Sequence, residues 1–272
     1  MRAGIFKKHG IVLDIVPTQG AGETLQAVIA GADVGIGLAT VGAMRAYVRG
    51  APVRVLAAAT TGARDIYWYV RVQSPIKIPV DATSKYTIAY STNGATSDYI
   101  VRAFAQQLGV KARPIATGGP DPTLIQVLAG HVDIGWAAPP IGLQELQDGK
   151  IRIFAKGNDL SEMRDQTVRV HVVNAETLER RNESIIRFMR AYREALDWMY
   201  SDPLALRFYA EATGMPESLL AMSRQEFHPK EALLPDRLSG IDAVMAAGVQ
   251  LKFLEKPLSK QQLSELIQIP PR

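Results

Sequence analysis

The stretch GIVLDIVPTQGAGETLQAVIAG, residues 10–31, is followed at an offset of 99 residues (109 minus 10) by GVKARPIATGGPDPTLIQVLAG, residues 109–130. The two stretches carry identical residues at eight positions, among them Gly20 and Gly119. After one inserted residue, Asp33-Val34-Gly35 likewise corresponds to Asp133-Ile134-Gly135. A repeat of this kind predicts two copies of one structural unit. Two similar lobes in turn predict a cleft between them, where small molecules commonly bind.

Each copy has the pattern of an α/β unit. A glycine ends a helix, and a β-prone run follows at residues 11–16 in the first copy and 110–116 in the second. A glycine-rich turn then leads into a helix with apolar residues at helical spacing, and a short buried strand comes next, at residues 34–38 or 134–137. Alternating strands and helices predict right-handed crossovers on mostly parallel sheets.

The second copy contains a segment for which the first has no counterpart. A strand at residues 86–90 and a polar loop at residues 91–98 precede the helix that ends at Gly109. At the same offset Met1 corresponds to Ile100, so the first copy starts inside its helix. We therefore expect the first strand of lobe one to be missing, and the natural gene product, or its ancestor, to extend upstream of Met1. The alternative is a fold that does without this strand.

Composition excludes several classes of protein. With 272 residues, 47% of them hydrophobic, the chain can bury a full core in one large domain or two lobes. It contains no cysteine, which excludes disulfides, thiolate nucleophiles and cysteine metal sites. The net charge of +4 is spread along the chain without a basic stripe, which argues against nucleic acid as a partner. No apolar run is long enough to span a membrane, and no signal peptide is visible.

The chain order predicts that the first lobe is interrupted by the second. We expect residues 1–75 and 167–272 to form lobe one and residues 78–165 to form lobe two. Hinge segments are then expected near residues 72–80 and 164–170, and two crossings of this kind permit closure around a ligand.

Residues suited to catalysis or metal binding are not grouped in the sequence. None of the four histidines has metal-ligand spacing to another, and no phosphate-binding loop or serine nucleophile motif is present. Gly35-Ile36-Gly37 lacks the third glycine of a dinucleotide-binding motif. The sequence therefore predicts neither catalytic residues nor a metal or cofactor site.

Several motifs together resemble a known family. They are residues 6–10 (FKKHG), 16–27 (VPTQGAGETLQA), 30–37 (AGADVGIG), 60–65 (TTGARD), 133–136 (DIGW), 188–192 (FMRAY) and 201–203 (SDP). They are similar to the substrate-binding proteins of ABC importers for sulfonates, taurine, nitrate and thiamine-pyrimidine precursors. The resemblance covers nearly the whole chain. It implies a two-lobed type II periplasmic-binding fold, with mixed, mostly parallel sheets flanked by helices, that closes on its ligand in the periplasm and docks on a membrane permease.

Carried over by position, the resemblance implies a set of cleft residues. The first lobe contributes Gln19 and Gly20, with Thr40 and Val41 on the next loop and Thr61 at a strand end. The second lobe contributes Asn93, Gly94, Thr96 and Ser97 at a helix N-terminus suited to an anionic head group, and Gly119 and Trp136. Simple helix capping is the alternative role for Thr96 and Ser97, and a core position is the alternative for Trp136. Arg64 and Arg102 are the candidate partners for an anion.

These observations favour a non-catalytic binding protein for a small organic, anionic solute, sulfonate-like or carboxylate-like. An enzyme on the same fold, of the thiamine-pyrimidine or menaquinone type, is the first alternative, although the cysteine-rich motif of the pyrimidine synthases is absent. A sensory effector-binding domain is the second, although no DNA-binding helix-turn-helix accompanies it.

Overall fold

The computed structural model describes residues 2–272, which form two sheets flanked by helices. Within these residues the strands are β1 (Val34–Ala39), β2 (Val53–Thr61), β3 (Tyr67–Arg71), β4 (Thr87–Tyr90), β5 (Arg113–Ala116), β6 (Ile134–Ala137), β7 (Ile151–Lys156) and β8 (Thr167–Asn174). The helices are α1 (Ile5–Lys8), α2 (Ala21–Ile29), α3 (Thr40–Val48), α4 (Thr96–Gln107), α5 (Pro120–Leu128), α6 (Leu143–Gln147), α7 (Ala175–Arg180), α8 (Asn182–Ser201), α9 (Leu204–Thr213), α10 (Glu217–Met222), α11 (Ile241–Gln250) and α12 (Lys260–Leu266). None of the helices described is long and apolar enough to cross a bilayer.

Each sheet contains one strand that runs against the others. The first sheet has the order β1-β8-β2, and β8 is antiparallel to both neighbours. The second has the order β5-β4-β6-β3-β7, in which β3 is antiparallel to β6 and β7, while β4 is parallel to β5 and β6. The predicted α/β fold with mixed, mostly parallel sheets is therefore confirmed.

The sequence repeat is also a structural repeat. Helices α2 and α5 begin 99 residues apart (120 minus 21) and have the same length of 9 residues. In each copy a threonine ahead of the helix and a threonine in its first turn have hydroxyls 2.6 Å apart, Thr18 with Thr24 in the first copy and Thr117 with Thr123 in the second. In both copies the second threonine also donates to the carbonyl of the glycine four residues earlier. The repeated sequence thus builds the same turn and the same helix start twice.

The predicted strand at residues 11–16 is wrong. The segment forms no regular secondary structure, and the backbone of residues 12–18 makes no hydrogen bond with any residue in the described range. Val12, Ile15 and Val16 are 94%, 63% and 75% exposed. A strand requires a hydrogen-bonded neighbour. β5, the corresponding strand of the second copy, is hydrogen-bonded to β4. Residues 2–272 provide no equivalent of β4 beside residues 11–16.

The sheets are connected at places that differ from the predicted boundaries. β3, which the sequence assigns to lobe one, pairs with β6 and β7 in the second sheet because its aromatic side chains pack into that core. The chain therefore crosses between sheets at residues 62–66 and returns at residues 157–166. The predicted hinge segment at residues 72–80 lies between β3 and β4, within the second lobe, and the segment at 164–170 overlaps the return crossing.

A continuous apolar core links the two sheets to the C-terminal helices. Trp68 of β3 is fully buried, contacts Phe104 of α4 edge-on with ring centroids 4.9 Å apart, and donates from Nε1 to the carbonyl of Ala89 at 2.8 Å. Val41 of α3 lies against Gly248 of α11, where a Cβ atom would come within 2.8 Å of it. The C-terminal helices therefore pack directly behind the strand ends at which the two lobes meet.

Candidate ligand-binding cleft

Loops from the two lobes are in direct contact. The backbone N–H of Gly22 donates to Thr92 Oγ1 across the boundary at 3.2 Å. Gln19 Oε1 lies 3.1 Å from the position that a Cβ atom would take at Gly119. A Cβ atom at Gly42 would come within 2.9 Å of the carbonyl oxygen of Gly94. Glycine at position 42 thus allows a close approach of the lobes that any side chain would prevent.

A small cavity of about 10 Å³, roughly the room that one water molecule needs, lies at this boundary. Both lobes, the returning strand β8 and the C-terminal helix α11 line it, through Ala39, Val41, Thr96, Tyr99, Gln166, Val168 and Val244. Val41 and Thr96 are predicted cleft residues. The cavity therefore lies at the boundary on which the sequence places the binding site, and its lining contains no charged side chain.

Two buried polar atoms in the cavity lining have no hydrogen-bond partner within residues 2–272. They are Thr96 Oγ1 and Gln166 Oε1, in side chains that are 5% and 4% exposed. A buried polar atom without a partner costs about 1–3 kcal/mol, so such atoms are rare in folded proteins. Trp136 Nε1 and Tyr69 Oη also lack a hydrogen-bond partner within residues 2–272, but these residues do not line the cavity.

At the N-terminus of α4 the side chain of Ser97 is hydrogen-bonded, whereas that of Thr96 has no partner among the described residues. Ser97 Oγ accepts the backbone N–H of Ser91 and contacts Ser91 Oγ, both at 2.9 Å, and so holds the loop that follows β4. Thr96, the first residue of the helix, makes no such bond. An α-helix also leaves its first N–H groups without intrahelical partners, and its N-terminus carries partial positive charge.

The other predicted site residues take part in contacts within the protein. Thr40 Oγ1 donates to the carbonyl of Thr167 at 2.6 Å, and the hydroxyls of Thr61 and Thr167 lie 3.0 Å apart. Gln19, Gly20, Asn93, Gly94 and Gly119 lie along the contact between the lobes, and Trp136 is a buried residue of β6, paired in register with Trp68. None of these residues lines the cavity.

Sequence reasoning missed Tyr99, Gln166, Val168 and Val244. A signal existed for Tyr99, because residues three apart share a helix face and Tyr99 follows Thr96 at that spacing. Burial raises the pKa of Tyr99 to about 12, and the charge of Glu162 adds to the shift, so its phenol stays protonated at neutral pH. Gln166 precedes β8 in an irregular segment, where no sequence pattern marks a residue as part of a site.

Two arginines near the boundary already have carboxylate partners. Arg169 of β8 makes a two-point ion pair with Asp65, with Nη2 at 2.9 Å from Oδ1. Arg102 pairs with Asp98 at 2.8 Å from Nε to Oδ1, so this candidate partner for an anion is occupied, and Arg64 is exposed. Across the described residues, no three histidine, aspartate or glutamate side chains are grouped so that they could hold a metal ion.

Comparison with protein families identifies the family to which the chain belongs. The family model described as "NMT1/THI5 like" matches residues 2–205, three quarters of the sequence. The chain belongs to the NMT1/THI5-like family. The resemblance predicted from the sequence motifs is thereby confirmed. A search of curated proteins finds no match to the chain.

Solved structures similar to this NMT1/THI5-like chain share its fold. The alkanesulfonate-binding protein SsuA from Xanthomonas axonopodis pv. citri, bound to MOPS, has a TM-score of 0.83 at 15% identity, with 99% of this chain and 92% of that chain covered. The periplasmic nitrate-binding protein NrtA from Synechocystis PCC 6803 has a TM-score of 0.74 at 14% identity, covering 98% and 81%. The Candida albicans CA3427 gene product, described as having the generic periplasmic binding protein fold, has a TM-score of 0.71 at 14% identity, covering 98% and 90%.

Proposed function

We propose that the chain is the solute-binding component of an ABC importer, and that it binds a small organic anion between its lobes without changing it chemically. The observation that carries the proposal is the pair of unpartnered buried atoms, Thr96 Oγ1 and Gln166 Oε1, in one cavity at the lobe boundary. Polar groups of a ligand would supply the missing hydrogen bonds.

The chemistry of the lining favours an oxyanion such as a sulfonate or a carboxylate. The Thr96 hydroxyl can donate, and rotation of the Gln166 amide by half a turn exchanges its oxygen for its NH2 group. The α4 N-terminus adds partial positive charge beside Thr96. The Asp98 carboxylate in the same helical turn would repel an anion, but Arg102 and the backbone N–H of Gly94 bind it.

The cavity size and its apolar walls restrict the rest of the ligand. At about 10 Å³ the cavity has room for about one water molecule, far less than the roughly 300–1,000 Å³ of pockets that hold drug-sized molecules, so a ligand can enter only when the lobes open. Ala39, Val41, Val168 and Val244 surround the polar pair with apolar surface. Once the lobes open, we expect the site to favour a compact anion with a short apolar tail, because its walls are apolar.

The lobes would open by a pivot at the two crossing segments. These segments are hydrogen-bonded side by side, since Ala63 N donates to Asn158 Oδ1 at 2.6 Å and Gly62 N donates to the Gln166 carbonyl at 2.8 Å. The Asp65 and Arg169 ion pair lies beside them. A pivot there would carry Gln166 with the hinge and so connect ligand contact to closure.

The proposed partner is a membrane permease and the proposed compartment is the periplasm. Support comes from the neighbours, of which two are named as alkanesulfonate-binding and periplasmic nitrate-binding proteins. Gene neighbourhood offers an independent check, because transport requires a permease and an ATPase encoded nearby.

Calorimetric titration of the purified chain with short alkanesulfonates, nitrate, taurine and short aromatic carboxylates tests the proposal. We expect at least one of these anions to bind, and Thr96→Val to weaken that binding about tenfold to a hundredfold, the cost of one hydrogen bond to a charged group. Thr177→Val is the matched control, because Thr177 lies in α7, outside the cavity, and bonds to Asp33 on the surface.

Two results would contradict the proposal. One is the absence of binding to any of these anions by protein whose circular dichroism spectrum shows it to be folded. The other is a ligand that T96V and the parent chain bind equally tightly. A ligand that is released in a chemically altered form would support an enzyme on this fold instead.

A further inference from the structure

Two phenylalanines from the region that follows β8 reach across to the second lobe. Phe227 and Phe253 are each 5% exposed. The ring centroid of Phe227 lies 5.8 Å from that of Tyr67 in β3, and the ring centroid of Phe253 lies 5.8 Å from that of Tyr99 in α4. The two contacts are therefore alike in burial and in ring separation.

The two contacts differ in their distance along the chain from the crossing segments. Tyr67 directly follows the first crossing, and Lys156, whose Nζ lies 5.7 Å from the ring centroid of Phe227, directly precedes the second. A rotation about the crossings would hardly move the contact of Phe227. Phe253 instead lies against α4, the helix whose N-terminus meets the first lobe in the cleft, so its contact has to break when the lobes part.

Phe253 contacts an ion pair as well as the cavity wall. The Cζ atom of Arg102 lies 5.1 Å from the ring centroid of Phe253, and Arg102 Nε donates to Asp98 Oδ1 at 2.8 Å. A guanidinium near an aromatic ring is attracted to the ring electrostatically. Tyr99, the other partner of Phe253, lines the cavity. One side chain of the first lobe thus contacts two consecutive turns of α4.

A strained turn brings Phe253 to this position. Within residues 2–272, Lys252 alone among non-glycine residues has a positive φ, 62°. Its N–H donates to the Val249 carbonyl at 3.0 Å, and the N–H of Phe253 donates to the Gly248 carbonyl at 2.8 Å. This pattern ends α11 as a Schellman motif, in which glycine usually occupies the left-handed position. Backbone strain of this kind persists only where surrounding contacts impose it, and it is concentrated at functional sites.

We propose that Phe253 is a latch residue between the lobes. In the absence of ligand, its contact with Tyr99 and Arg102 keeps α4 against the first lobe, and the lobes part only when this contact breaks. The latch would also control ligand entry, because the cavity accepts a ligand only when the lobes open. Control of entry rests on the proposed function, whereas the latch itself can be tested without a ligand.

Distance measurements between two spin labels test the latch. The chain contains no cysteine, so introduced cysteines are labelled selectively. Gln26→Cys in α2 and Ile125→Cys in α5 place the labels at exposed positions, on the helices that follow the touching turns of Gln19 and Gly119. Pulsed electron paramagnetic resonance of the ligand-free protein then gives the distance distribution. We expect Phe253→Ala to increase the population of an open form about tenfold, because one aromatic contact and one cation–π contact are lost.

Three further variants in the labelled background serve as controls. The open form should appear as a component longer by at least about 2 Å. Phe227→Ala removes an equally buried ring near the crossings and should leave the distances unchanged. Lys252→Gly should also leave them unchanged, because glycine adopts the left-handed conformation readily. Lys252→Val should lengthen them as Phe253→Ala does, because a β-branched residue disfavours that conformation. Circular dichroism shows that each variant is folded.

A longer component in F253A and K252V, and not in F227A and K252G, supports the latch. Folded F253A with the distance distribution of the parent overturns it. Equal lengthening in F227A also overturns it, because the loss of any buried ring would then loosen the molecule. If F253A opens the lobes but none of the anions proposed above binds to the parent chain, the latch stands and the proposed function fails.

Discussion

The two lobes start from the same sequence unit and differ in what surrounds its central strand. The paired threonine hydroxyls at the start of α2 and of α5 have the same 2.6 Å separation, so both lobes form the same hydrogen bond there. One strand further on the lobes diverge. Ile36 of β1 is 51% exposed, whereas Trp136, the equivalent residue of β6, is 8% exposed.

The difference between the lobes shows which parts of the structure depend on residues close in sequence and which depend on residues far away in sequence. A turn and a helix start are built from residues that are close in sequence, so each copy forms them independently. A strand is stabilised by neighbours that are distant in sequence, so the β-prone run of the second copy forms β5 beside β4, whereas the run at residues 11–16 remains unpaired.

Truncating a buried strand residue of the second lobe and an exposed edge residue of the first should show the largest difference in stability between the lobes. We expect Ile88→Ala to lower the free energy of unfolding by about 4 kcal/mol, because it opens a cavity in a fully buried site. Ile36→Ala, on the unpaired edge of the first lobe, should cost less than about 1 kcal/mol. Urea denaturation followed by circular dichroism measures both. Similar losses for the two variants would show that Ile36 is covered in solution.

Most of the fold follows from patterns within the sequence. Glycine spacing and helical periodicity predict α2 and α5, and the Asn174 side chain caps α7 by accepting the backbone N–H of Glu176 at 2.9 Å. The assignment of β3 to the second sheet could not be predicted in this way. Its pairing with β6 depends on residues more than 60 positions away, and β-propensity says nothing about which sheet a strand joins.

Acidification should destabilise the first lobe through a backbone hydrogen bond to His171, which has no equivalent at the matching position of the second lobe. Gly37 of β1 leaves the regular ladder and donates its N–H to His171 Nδ1 at 3.1 Å, whereas Ala137 of β6 pairs regularly with Tyr67. Burial lowers the pKa of His171 from 6.5 to about 4. The imidazole is therefore neutral at pH 7, and its Nε2–H donates to Tyr192 Oη at 2.8 Å.

The sign of this pH effect follows from the lowered pKa. The unfolded chain binds a proton on His171 near pH 6.5 and the folded chain near pH 4, so stability is complete above pH 6.5 and falls as the pH decreases towards 4. The loss attributable to His171 should reach about 3 kcal/mol. Comparison with His171→Gln isolates it, since carboxylates titrate in both proteins. Parallel stability curves for the two proteins from pH 7.5 to 4.5 would rule out this role.

The cavity was harder to predict than the fold for a physical reason. Thr96 and Val41 could be predicted from the sequence because they follow strand ends at the edge where α/β proteins bind ligands. Gln166 and Val244 come from the return crossing and from a C-terminal helix, and tertiary packing alone brings them to the same place. Arg102 illustrates the opposite error, because its suitability for an anion disappears once the structure shows its ion pair with Asp98.

The smallest expected effect concerns the feature that the lobes share. Thr123 is fully buried and Thr24 only half-buried, although each makes the same two hydrogen bonds. We expect Thr123→Val to cost about 2 kcal/mol and Thr24→Val about 1 kcal/mol, because a lost hydrogen bond is more costly where water cannot replace it. Thermal and urea unfolding of the two variants provides the comparison. If T24V is the more destabilising variant, burial does not distinguish the two turns, and the open edge of the first lobe makes its local hydrogen bonds more important than those of the second.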